Sequence, residues 1–164
     1  MSVAFTKESD AEAVAADLPD RPIPAHANLV TPAGLAQIET ALALARAAYD
    51  MARSNSAISA DRSAMARATR DLRYWSARRA SAQLVESRPG DGSVCFGTRI
   101  TFERADGRRQ SYAIVGDDEA DPAKGSVSWV SPLARAMIGR AVGDIVMLAG
   151  HEVEIIEIAP VDFA

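Results

Sequence analysis

Apolar residues in the first half of the chain recur at spacings of three and four. Leu35, Ile38, Leu42, Ala45, Tyr49 and Ala52 form one stripe; Met65, Ala68, Leu72, Trp75, Arg79 and Ala82 repeat the spacing, with Leu84 following. That period puts each set on one face of an α-helix, so each stripe is a seam in need of a partner. The two stripes supply each other. Between them lies SNSAISADRS, residues 54–63, whose serines and Asn55 compete with helical hydrogen bonding and favour turns and caps. The pattern predicts an antiparallel helical hairpin over 31–87, with helices at 31–53 and 60–86 and a tip near 54–61. Thr31-Pro32 is a helix start, because a threonine oxygen caps free N–H groups and proline loses nothing at the first helical position. Ser59 or Asp61 is placed to cap the second helix.

RPGDG, residues 88–92, stops the helical pattern and reads as a hinge. After it the period changes to two. VCFGTRITFE (94–103) and QSYAIVG (110–116) read as strands joined at the Asp106-Gly107 turn, and SVSWV (126–130) as a third. A short helix follows Ser131-Pro132; IVMLAG (145–150) and HEVEIIEIA (151–159) are strands turning at Ala149-Gly150. Residues 93–164 are therefore expected to form an antiparallel sheet with one short helix, and the whole chain an α+β protein.

Residues 1–30 are rich in Ala, Asp and Pro, carry few bulky apolar groups, and read as a flexible or partly ordered acidic arm. Charge sharpens this division. The arm has a net charge of −3, residues 46–88 hold nine arginines against four acids, and the remainder past residue 88 is −5. A basic middle between acidic ends points to an acidic or nucleic-acid-containing partner, or to a solvated helix face. The single cysteine, Cys95, has no partner for an intramolecular disulfide, and neither a signal segment nor a membrane-spanning run is evident, so a cytoplasmic protein with no membrane association is expected.

Catalytic signatures are missing from the sequence: no nucleophile elbow, no Gly-rich phosphate loop and no Cys/His metal cluster, with His26 and His151 far apart. His151 reads as a surface or half-buried residue, and Cys95 as a small core residue in a strand. Asp117, Asp118, Glu119 and Asp121 admit a divalent-cation reading, but they lack the ligand spacing of a calcium loop and read as a solvated turn. In Arg70–Arg79, basic and aromatic residues interleave as they do on nucleic-acid stacking surfaces; Trp75 lies on the seam, leaving Tyr74 and the arginines as surface candidates.

Residues 96–158 resemble the C-terminal domain of the GreA/GreB family of bacterial transcript-cleavage and elongation factors, most specifically in IVGDDEAD, SPLARAMIGRAVGD and the closing strand pair. Thr31-Pro-Ala-Gly-Leu is similar to the opening of that family's N-terminal coiled coil. The resemblance implies an FKBP-like C-terminal domain that docks on bacterial RNA polymerase at the rim of its secondary channel, and so an indirect association with the nucleic acid of the elongation complex. It implies a coiled coil whose two acidic tip residues help hold the polymerase's Mg²⁺ and its attacking water. The family tip reads roughly Gly-Asp-φ-Ser-Glu-Asn, and here the matching residues 56–61 are Ser-Ala-Ile-Ser-Ala-Asp. Ala57 and Ala60 then stand at the acidic positions, and alanine coordinates no metal. A rival alignment on Asp61-Arg62-Ser63 keeps one acid, Asp61, but makes the two arms unequal. Against the family, both arms are shorter by roughly two turns, or about 10 Å.

Three readings follow. The first is a monomeric Gre-like regulator of elongation or initiation, without efficient transcript cleavage and with no catalytic residue, metal or cofactor of its own. Ser131, Pro132, Leu133, Ala134 and Arg135 are its expected docking segment, and Arg53, Arg62, Arg67, Arg70 and Arg73 its channel-facing basic residues. The second is a competent cleavage factor using Asp61. The third, from the FKBP-like fold alone, is an interaction module that does not bind polymerase.

Overall fold

The computed structural model describes residues 18–54, 60–86 and 92–161, apart from the side chains of residues 60–62. It is of α+β class. The chain divides into two units, one comprising residues up to His26 and Ile38–Ser81, the other Ala27–Gln37 and Ala82–Ala164.

In the first unit lie helix α1 (Pro32–Ser54), from Ile38 onward, and helix α2 (Ala60–Ser81). The predicted seam is the buried face of α1: Ile38, Leu42, Ala45 and Ala52 are all buried. Glu39 near the start of α1 pairs with Arg79 near the end of α2 at 2.9 Å, while Ala41, Leu44, Ala45 and Ala48 line a groove with Ala68, Asp71 and Trp75. Residues 55–59 of the expected tip lie outside the described residues, as do 88–91 of the expected hinge; Gly92 has the positive φ of a turn glycine.

Two boundaries differ from the sequence expectation. Strand β1 (Asn28–Val30) belongs to no flexible arm: it pairs in parallel with β2 (Ala82–Leu84), and Asn28 and Val30 are buried. For the same reason α2 stops at Ser81 rather than continuing to 86. Ala82, Gln83 and Leu84 are compatible with helix, but the backbone of β1 offers them a ladder instead.

The second unit is built on a five-stranded sheet in the order β5-β4-β3-β7-β6, with β3 (Thr98–Arg104), β4 (Arg109–Val115), β5 (Ser126–Ser128), β6 (Ile145–Leu148) and β7 (His151–Pro160). It is mixed rather than antiparallel, because β5 pairs in parallel with β4. The Asp106-Gly107 turn joins β3 to β4 as expected, with Gly107 at φ 79°. Strand β3 begins at Thr98, four residues later than expected. Gly97 takes a positive φ, and the Thr98 hydroxyl donates to the Cys95 carbonyl at 2.7 Å, which turns the chain there. Cys95 is therefore a half-buried turn neighbour and not a strand core residue. Helix α3 (Pro132–Met137) lies in the same unit, and the apolar core gathers Val94, Ile100, Phe102, Ile114, Ala134 and Met137 with inward residues of β6 and β7.

Candidate functional site

The docking segment expected at 131–135 is the start of α3, and the fold uses most of it internally. The Ser131 side chain accepts a hydrogen bond from the Ala134 N–H at 3.2 Å, and Pro132 occupies the first turn, the arrangement of a capped helix start. Ala134 is fully buried, and Leu133 packs against the core. Only Pro132 and Arg135 of the five are exposed. Further along the chain Ile138, Arg140, Val142, Ile145 and Met147 are also exposed.

Of the five basic residues expected to face a channel, Arg53, Arg67 and Arg73 are exposed and Arg70 is partly buried; the Arg62 side chain lies outside the described residues. Three are already engaged within their own unit, Arg67 by donating to the Ser63 carbonyl at 3.2 Å. Arg73 pairs with Asp20 at 3.4 Å, and Arg70 lies 3.6 Å from Asp71. Arg21 reaches the same turn of α2. Its guanidinium carbon sits 3.6 Å from the Tyr74 ring centroid and 5.1 Å from that of Trp75, and it pairs with Asp71 at 3.7 Å. Periodicity gives no sign of this contact, since Asp20 and Arg21 lie in a Pro-rich stretch without a repeat. Arg78 is a further surprise: it is 1% exposed and the bulkiest of the fully buried side chains.

The acidic loop is not the solvated turn that its composition suggests. Ser128 donates to Asp117 at 2.5 Å, and Asp121 accepts from the Ala123 N–H at 3.1 Å, capping the short 3₁₀ turn Pro122–Lys124. Glu119 turns inward instead, accepting the Thr31 hydroxyl proton at 2.6 Å and a hydrogen bond from the Gly116 backbone. Burial pushes the Glu119 carboxyl above the usual carboxylate range, while those two hydrogen bonds pull it partly back. The loop's oxygens thus serve as acceptors for hydroxyls and backbone N–H groups. Among the described residues no group of three or more His, Cys, Asp or Glu is placed to hold a metal ion, and no helix is long and apolar enough to cross a membrane. Asp61 is the second residue of α2.

With this geometry in view, comparisons place the chain. The family model described as "Transcription elongation factor, GreA/GreB, C-term" matches residues 89–160, which include the acidic loop, α3 and the β6–β7 pair. Transcription elongation factor GreA of Pseudomonas aeruginosa is 35% identical over 129 residues, covering 74% of this chain and 81% of that protein. GreA of Desulfovibrio desulfuricans is 39% identical over 100 residues, 60% of this chain and 56% of the relative. GreB of Neisseria meningitidis is 40% identical over 95 residues, 54% of this chain and 58% of the relative. The chain thus spans little more than half the length of the last two. Among solved structures, Gfh1 of Thermus thermophilus is 21% identical, with 81% of this chain and 99% of that one covered and a TM-score of 0.38. On the agreement of the C-terminal family match with the GreA relative that covers most of both chains, this protein belongs to the GreA/GreB family of transcription elongation factors.

Proposed function

We propose that this protein is a Gre-like regulator that binds bacterial RNA polymerase at the secondary channel and modulates elongation or initiation without efficient stimulation of transcript cleavage. One contrast carries the reading. The family match covers residues 89–160, which include SPLARA, whereas on the sequence resemblance Ala57 and Ala60 stand where the family's coiled-coil tip has its acids. A carboxylate is needed to hold a hard cation and orient its water, and a methyl group does neither. The Mg²⁺ of that reaction belongs to the polymerase, and this chain contributes no catalytic group of its own.

The arms bear on the choice of alignment. Helix α1 has 23 residues and α2 has 22. Near-equal arms support the alignment that puts residues 56–61 at the tip of a coiled-coil hairpin, and they speak against the unequal arms that the rival alignment on Asp61-Arg62-Ser63 requires. The C-terminal unit is read as an FKBP-like docking domain, whose Pro132 and Arg135 contact the channel rim. Exposed apolar residues beside an arginine have the composition of an interface rather than of an idle surface. The protein is read as a cytoplasmic monomer that reaches nucleic acid only through the elongation complex.

Stalled, backtracked elongation complexes give the test. Purified protein should bind core polymerase and compete with a true cleavage factor while leaving the stalled RNA uncut. Robust RNA shortening that Asp61→Ala abolishes would overturn the reading in favour of a competent cleavage factor. Failure to bind polymerase at all would favour a free-standing interaction module.

A further inference from the structure

Asp20 and Arg21 have no part in the family resemblance, yet together they cover one turn of α2. Asp20 reaches Arg73 at 3.4 Å, and Arg21 reaches Asp71 at 3.7 Å with its guanidinium carbon 3.6 Å from the Tyr74 ring centroid. The chemistry of the two partners is complementary position by position: an Asp-Arg pair on the segment meets Asp71, Arg73 and Tyr74 on the helix. Pro19 and Pro22 flank the pair, and their fixed φ keeps this stretch out of helix. The segment is without regular secondary structure from Leu18 to Pro24.

We infer that residues 18–22 form a strap that masks the basic face of α2 and is displaced when that face engages its anionic partner. The identity of that partner as polymerase rests on the reading above; the mask itself rests on the contacts. The Asp20 carboxylate sits where a partner's anion would neutralise Arg73. Once the strap leaves, Asp71 still has Arg70 at 3.6 Å, so the freed cation is Arg73.

The strap holds weakly enough to move. The Arg73 and Asp20 side chains are 67% and 64% exposed, so their attraction is screened by water. The stack of Arg21 on Tyr74 adds a contribution of the same modest order. A strap closed about nine-tenths of the time lowers apparent affinity by about tenfold, because only the open fraction binds.

The test uses the full chain in a Trp129→Phe background, which leaves Trp75 as its only tryptophan, and heparin as the polyanion. Asp20→Ala with Arg21→Ala removes one charge of each sign, so net charge stays at −4 and any gain cannot come from bulk charge. Trp75 emission should change in the double variant, heparin should bind about tenfold more tightly at fixed salt, and adding Arg73→Ala should cancel the gain. Asp20→Asn with Arg21→Gln, which removes both charges but keeps polar side chains, should behave the same way. Unchanged Trp75 emission, or heparin affinity that stays level or falls, overturns the mask. Core polymerase separates the two ideas. If heparin affinity rises but neither protein binds polymerase, the mask stands and the polymerase reading fails; if both bind polymerase and the heparin gain is absent, the reverse holds.

Discussion

The hydroxyl of Thr31 donates to the carboxylate of Glu119 at 2.6 Å, joining positions 88 residues apart. The same oxygen accepts the Gly34 N–H at 2.9 Å, so one fully buried side chain both caps α1 and satisfies a carboxylate of the acidic loop. Thr31→Val keeps the shape and removes both bonds. It should destabilise the fold by about 2 kcal/mol, a lost cap together with one of two hydrogen bonds to a half-buried carboxylate, read as a shift in urea midpoint at constant slope.

Glu119 gives stability a specific pH dependence. Its folded carboxyl is raised, chiefly by burial, so the folded state binds more protons than the unfolded state just above the ordinary glutamate range. Stability from this group is therefore fully present at pH values below the unfolded value and is lost as pH rises through the folded one. Glu119→Gln cannot titrate. The stability of wild type relative to this variant should fall as pH climbs through that window, and a relative stability that rises would contradict the burial argument.

Two glycines leave the room this junction needs. A Cβ on Gly116 would stand 2.5 Å from the Leu29 carbonyl oxygen, and one on Gly34 would stand 2.5 Å from the Glu119 carboxylate. Backbone cannot swing aside, whereas a side-chain end can. Gly116→Ala should cost about 3 kcal/mol. Gly34→Ala should cost nearer 1 kcal/mol, since alanine's helix preference offsets part of the displaced Glu119 contact. Thermal melts of the two variants should keep that order.

Neighbouring arginines on α2 should respond very differently. Arg79 pairs with Glu39 at 2.9 Å, but both side chains are about half exposed, so Arg79→Ala should cost less than about 1 kcal/mol. Arg78 is 1% exposed, and Arg78→Ala should cost about 3 kcal/mol through a lost buried interaction and the space left behind. Denaturant unfolding of the single variants resolves the difference.

If residues 131–135 dock on polymerase as proposed, exposure should separate binding from folding. Arg135→Glu should weaken polymerase binding by roughly tenfold and leave the melting temperature unchanged, as reversal of an exposed interface charge does. Ala134→Asp, at a fully buried position, should unfold the C-terminal unit instead. Equal loss of binding and stability in both variants would show that the segment acts only through the fold.

Much of this architecture was legible in advance, and the failures have physical causes. The three-and-four spacing located the buried face of α1, because helical period depends only on local geometry. The end of α2 was not legible, since Ala82–Leu84 becomes a strand only through β1, more than 50 residues earlier. Nor was the parallel pairing of β5 with β4, because alternation of apolar and polar residues reads the same in either direction. The acidic loop misled for another reason: carboxylates look alike in sequence whether water or a buried threonine receives them.

The sequence by itself determined the periods, the caps at Thr31 and Ser131, the Asp106-Gly107 turn, and the family, all of which rest on residues near one another in the chain. Only the tertiary structure decided that Glu119 is held by Thr31, that Asp20 and Arg21 cover a turn of α2, that Arg78 is buried beside exposed Arg79, and that Pro132 and Arg135 alone of their segment face solvent. Burial and partnership of a polar side chain depend on groups brought in from distant positions, and no local pattern contains them.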